Sequence, residues 1–145
     1  RNDEVLHDSE QGLGGAQLTQ LIARQYGISL EEAELKKRSG ELPTDYAEAV
    51  LHPFVSGMAQ DIMRALQFFF TSTPYHSVQH IAMFGGSAGV QGLVQAVQEQ
   101  IKLPVHLLNP FEKMSFAATV HQSKLKNDAP MYLTACGLAM RRFLS

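Results

Sequence analysis

The residues best suited to hold a ligand lie in the stretch HIAMFGGSAGVQGL, His80 to Leu93. An apolar run enters Gly85-Gly86, Ser87 follows, and an amphipathic segment opens after Gly89. Glycines after a buried parallel strand let a ligand approach the backbone closely, and the amides of a following helix start favour polar or anionic groups. Glycine serves a tight turn equally well, so the junction by itself leaves both readings open. It lacks the G-x-G-x-x-G spacing of the dinucleotide fingerprint and the lysine of a P-loop. GGSAG is also not the G-x-S-x-G elbow, so nothing marks Ser87 as a nucleophile.

A second group of chemically capable residues is the run Glu31, Glu32, Glu34, Lys36, Lys37, Arg38. Acids precede bases, as a helix dipole prefers, and Glu34 and Lys37 fall on one side of a helix. Such a run usually forms a solvated face. The same spacing would let a carboxylate accept ribose hydroxyls while a lysine stem covers a base. The histidines point elsewhere. His76 and His80 are four apart but straddle Pro74 and the start of an apolar run, with no cysteine or acid beside them. Zinc-type chemistry needs three or four converging ligands, so no metal site and no catalytic residue is expected. The lone Cys136 excludes an intrachain disulfide, fits a reducing compartment and, beside Gly137, suits a buried thiol.

These residues need a scaffold. The chain has 145 residues, 45% of them hydrophobic, which suffices for one core. Its net charge is −2 and no basic cluster exceeds Lys36-Lys37-Arg38, which argues against a nucleic-acid face. No apolar run reaches the roughly 18 residues of a bilayer span, so a cytoplasmic domain is expected. RNDE reads as a turn, and Val5 to Glu10 alternates like a strand. A strand paired with it is expected outside the sequence, making the chain part of a longer protein.

Leu18, Leu21, Ile22 and Tyr26 share one helical face, which Gly27 ends. Ser29, with Glu32 three residues on, opens the next helix and Gly40 closes it. Thr44 to Thr73 is mostly helix, interrupted or restarted at Pro53. Three consecutive phenylalanines, Phe68 to Phe70, cannot share a face, so cover from more than one side is expected there. Val78 to Phe84 and LPVHLL read as strands, with a helix between them that turns Val90, Leu93, Val94 and Val97 inward. Asn109-Pro110 marks a firm turn, and a helix with a small-residue core ends the chain, with Pro130 in its first turn. Strands alternating with helices give an α/β layered domain.

Several of these stretches together resemble a known family. MFGGSAGVQGL resembles the adenosine motif of the actin-like ATPase superfamily, and APMYLTACGLAMRRF its C-terminal connecting helix. GGAQLTQLIARQYGISLEEAELKK, LPTDY, RALQFFF and LLNPFEKMS resemble the PilM family of type IV pilus assembly; FtsA-type cell-division proteins share the fold but fit these stretches less well. The resemblance implies an actin-like (RNase H-like) α/β fold. It makes residues 1–145 most of the second lobe, with an incomplete mixed sheet flanked by helices and a helical insertion over 28–50.

It further implies ATP as ligand, with magnesium held mainly by other parts of the protein. Gly85, Gly86 and Ser87 would line the adenosine pocket. Gly14 and Gly15 would lie near ribose and phosphates, Glu34 and Lys37 by ribose and base, and Pro110 would close one edge. The partners implied are the N-terminal tail of PilN, docking on the first lobe, and other pilus assembly proteins, in the cytoplasm at an inner-membrane complex. Missing neighbours in the sheet would leave strand edges open to self-association. Two other functions stay open: an ATP-hydrolysing actin-like polymer subunit, and a nucleotide-free interaction lobe such as that of the type II secretion protein GspL.

Overall fold

The computed structural model describes residues 5–8, 14–121, 125 and 128–143. They divide into two compact units, residues 1–78 and 79–145.

The first unit is helical. Helix α1 (Gly15–Tyr26) buries Leu18, Thr19 and Ile22. It stops at Gly27, which sits at φ 63°, a left-handed conformation that glycine adopts without a Cβ penalty. Helix α2 (Leu30–Ser39) opens with the Ser29 side chain accepting a bond from the Glu32 amide at 3.1 Å. It carries Glu31 and Glu32 in its first turn and Lys36, Lys37 and Arg38 in its last. Ala33 of α2 is fully buried, and its lack of bulk allows α1 and α2 to pack closely.

A π-helical turn (Ala47–Leu51) runs directly into α3 (His52–Ser72), with Pro53 in the first turn of the α segment. The expected break at Pro53 is therefore a change of helical winding just before the proline, which has no amide hydrogen to donate. Val50, Leu51, Phe54, Val55, Met58 and Ala59 are buried and, with Leu18, Ile22 and Ala33, form the core of this unit.

Two expectations fail here. Val5–Asp8 is not a strand, because no neighbouring strand among the described residues takes up its backbone groups; Ser9 and Glu10 lie outside the described residues. Phe68 is 59% exposed, with the His7 ring 5.7 Å away, and so lacks the cover expected of it. Phe69 takes up the packing instead, stacked on Tyr75 at 6.2 Å and tilted against Phe70 at 5.7 Å.

The second unit is α/β. Strand β1 (Ile81–Met83) pairs in parallel with β2 (Val105–Leu107), with Ile81 opposite Val105 and Met83 opposite Leu107. Both strands are shorter than the apolar runs that contain them. A 3-10 turn (Gly86–Gly89) and helix α4 (Leu93–Ile101) connect them. Leu93 and Val97 of α4 are fully buried with Val105, Ala88 and Ala129 close to it, while Val90 and Val94 are only part-buried. A 3-10 turn (Ala129–Tyr132) leads into α5 (Leu133–Met140), so Pro130 precedes the α-helix proper. No residue of α5 is buried, and Cys136 is part-buried where a buried thiol was expected.

Candidate functional site

Parallel strands deliver their following loops to the same end of a sheet, the end where ligands gather in open α/β folds. In the second unit these loops are the glycine turn after β1 and the Asn109-Pro110 loop after β2. Gly85 sits at φ 92° and ψ 173°, a region only glycine occupies without strain. Its amide donates to the Pro130 carbonyl at 2.8 Å. Gly86 is exposed, and a Cβ there would meet nothing nearer than the Met131 methyl at 3.8 Å. Ser87 is part-buried, and its carbonyl accepts the Val90 amide at 3.1 Å. The turn thus presents bare backbone at Gly86 on a support fixed at Gly85.

The second loop is tied to the same support. Asn109 Oδ1 accepts the Phe111 amide at 2.9 Å, which locks the turn around Pro110. The Phe111 ring lies 5.8 Å from Tyr132 and 6.0 Å from Phe116. Pro130, Met131 and Tyr132 therefore join the glycine turn to the Pro110 loop, one residue touching each in succession. Sequence reasoning assigned Pro130 only a helix-start role; its contact with Gly85 spans 45 positions and leaves no local signal.

In the first unit Gly14, Gly15, Glu34 and Lys37 converge. Gly14 precedes α1 in an extended conformation, and Gly15 is its first residue. The Lys37 ammonium donates to the Gly15 carbonyl at 3.1 Å, to Thr19 Oγ1 at 2.6 Å and to Glu34 Oε2 at 2.6 Å. These three acceptors take all of its protons. Arg38 Nε donates to Glu34 Oε1 at 2.8 Å. Glu34 and Lys37 are thus neither the freely solvated face of the simpler reading nor free to bond a ligand with every atom. Lys37 has only its methylene stem to offer, and Glu34 keeps acceptor capacity on Oε1.

Thr19 is the residue sequence reading missed. It is 6% exposed, and its hydroxyl lies 2.6 Å from Glu34 Oε2 and 3.0 Å from the Gly15 carbonyl.

Hydrogen bonds from Lys37, then Thr19, then Arg38 pull the Glu34 carboxyl from its ordinary 4.5 down to about 2. A carboxyl depressed on folding stabilises the fold above its unfolded value, and that stabilisation disappears as pH falls through the folded value. The stability difference between wild type and Glu34→Gln is therefore expected to be largest near neutrality and to shrink between pH 4.5 and about 2. The Glu34 side chain is 35% exposed, so water screens the pair and the difference at pH 7 should be on the order of 1 kcal/mol. Urea unfolding of both proteins at pH 7 and pH 3 checks this; a difference that does not change with pH contradicts it.

Among the described residues no three histidine, cysteine, aspartate or glutamate side chains converge as a metal cluster would. His80 instead packs its ring against His106, with centroids 5.7 Å apart across the two strands. No helix among the described residues is long and apolar enough to cross a membrane.

The family model for type IV pilus assembly protein PilM matches residues 1–143, almost the whole chain. The chain belongs to the PilM family. A solved structure described as the PilM-PilN type IV pilus biogenesis complex is similar to this PilM-family chain, with a TM-score of 0.70 and 25% sequence identity. The similarity covers 89% of this chain and 37% of that one, so the PilM-family sequence here spans well under half of its solved relative. The two-stranded parallel sheet, its crossover helix and the surrounding helices are thereby part of an actin-like fold.

Proposed function

We propose that this PilM-family chain supplies the adenosine-side wall of an ATP site in a cytoplasmic scaffold protein of type IV pilus assembly. The observation that carries the reading is the glycine turn at the carboxyl end of β1. Gly85 is fixed to Pro130 through its amide, and Gly86 beside it offers open backbone to a planar ligand. The polar cluster of the first unit, taken by itself, suits a nucleoside. Glu34 Oε1 has room for a ribose hydroxyl, and the Lys37 stem offers an apolar edge. With its protons engaged, Lys37 is not the residue that neutralises the phosphates. Phosphate charge and magnesium are proposed to be handled mainly by other parts of the protein.

In this reading Gly85, Gly86, Ser87 and Pro110 meet the adenosine in the second unit; Gly14, Gly15, Glu34 and Lys37 form a polar cluster of their own in the first unit, which is proposed to contact nucleotide through Glu34 and the Lys37 stem. The similar solved structure contains PilM together with PilN; PilN is accordingly the proposed partner of the whole protein, which would act at the inner-membrane assembly complex. ATP titrated into the full-length protein, with phosphate release followed in parallel, tests the assignment. Saturable binding without sustained release is the expected result and fits a scaffold. Binding with sustained turnover would instead make the protein an ATPase of the polymer-forming kind, and no binding would leave the chain an interaction lobe without nucleotide.

A further inference from the structure

We infer that Thr19 is the positioning residue of the Glu34–Lys37 pair, linking the start of α1 to the nucleotide-facing side of α2. The inference rests on the ATP-site reading above. Its basis is the count of protons and lone pairs around one buried hydroxyl.

Thr19 stands one turn into α1, directly above Gly15, with its Oγ1 held among three groups: the Lys37 ammonium at 2.6 Å, Glu34 Oε2 at 2.6 Å and the Gly15 carbonyl at 3.0 Å. Lys37 has no acceptor, so it donates and Thr19 Oγ1 receives. The hydroxyl then has a single proton for two acceptors. The shorter separation assigns that proton to Glu34, with the Gly15 carbonyl as the alternative reached by rotation about the C–O bond. At Oε2, Glu34 therefore accepts from both Lys37 and Thr19, which fixes the carboxylate plane and turns Oε1 outward to Arg38 and solvent. A carboxylate on an exposed helix otherwise samples several rotamers. Here a residue from another helix removes that freedom before any ligand arrives.

Thr19 also gives α1 a stake in ligand contact at α2. A ligand hydroxyl donating to Glu34 competes with the Thr19 proton, which can then turn to the Gly15 carbonyl without losing a partner. Contact at Glu34 and the conformation of the Gly14-Gly15 helix start are coupled through this rotation.

The test uses the full-length protein, with ATP as the probe. Thr19→Val keeps the shape of the side chain and removes the hydroxyl; Thr19→Ser keeps the hydroxyl and removes the methyl. Thr19→Val is expected to weaken ATP binding about tenfold, and Thr19→Ser to stay within about threefold of wild type, the size of effect one charge-assisted hydrogen bond gives. A residue that acts only through Glu34 has nothing left to position once the carboxylate is gone. In a Glu34→Gln background, Thr19→Val should therefore weaken binding further by less than about twofold. Thermal melting of each variant, followed alongside, separates binding from folding. Two results overturn the inference while leaving the ATP site standing: wild-type affinity in Thr19→Val despite a lowered melting temperature, or independent, multiplying losses in the double variant. A wild-type protein that binds no ATP removes the site reading itself, and this inference with it.

Discussion

Gly86→Arg is expected to weaken ATP binding to the full-length protein by about a hundredfold or more, which corresponds to about 2.7 kcal/mol or more. The reason is steric. Gly86 is exposed at the carboxyl end of β1 and, unlike Gly85, has no left-handed φ, so a side chain there costs no backbone strain. A Cβ would stand 3.8 Å from the Met131 methyl, an ordinary contact with the end of a flexible side chain. Arginine can thus be built without disturbing the fold, with its bulk over the surface where an adenine would lie. Gly86→Ala supplies the control and should bind ATP within about twofold of wild type, because one methyl adds little to that surface. Isothermal titration of the three proteins reads the result. Unchanged binding in Gly86→Arg would remove the turn from the site.

The largest effect on stability should come from Leu93→Ala. Leu93 is 0% exposed, as is Val97, and the other buried apolar residues among those described in the second unit are Val105, Pro130 and the small Ala88 and Ala129. Leu93 is thus the bulkiest contributor to a thin core, and little around it can collapse into the space. Removing its isobutyl group should cost about 3 kcal/mol, within the range for leucine-to-alanine cavities. The loss should also be local. Hydrogen exchange in peptides covering β1, α4 and β2 should speed up by about a hundredfold, the factor that 3 kcal/mol of lost opening free energy gives, while α1 and α2 keep their protection. Slow exchange preserved through α4 would mean that Leu93 does not carry this core.

The two experiments separate what holds the glycine turn from what the turn does. Leu93 acts from beneath, through the packing of α4 on β2. Gly86 acts from above, and its substitution leaves that packing intact.

The parts of this structure visible in the sequence are those decided within a few residues. Gly27 and Gly40 end their helices at φ 63° and 77°, where the absence of a Cβ decides the outcome locally. Ser29 caps α2 because its hydroxyl reaches an amide three residues on. The faces of α1 and α4 follow from the 3.6-residue period, which puts Leu18 with Ile22 and Leu93 with Val97. Asn109-Pro110 turns because Asn109 bonds the amide two residues ahead. The glycine turn at Gly85-Gly86 is visible for the same reason.

What remained hidden depends on partners far along the chain. Val5–Asp8 alternates like a strand, but alternation supplies no neighbour, and strand structure exists only through pairing. The run of three phenylalanines said that one face was not enough; it could not say that Phe69 would find Tyr75 while Phe68 stayed exposed. Pro130 meets Gly85, and Thr19 meets Glu34 and Lys37, across separations that no periodicity encodes. The sequence by itself determined where α1 ends and where α2 begins and ends, which faces are apolar and which family the motifs resemble, because caps, backbone preferences and helical period act over one or two turns. Only the tertiary structure decided that Lys37 turns its charge inward, that a threonine orders the carboxylate beside it, and that one proline-led turn holds the glycine loop in place. The bonds of 2.6 to 3.1 Å that join Glu34 and Lys37 of α2 to Thr19 and Gly15 of α1 require groups from separate elements, and folding alone brings them together.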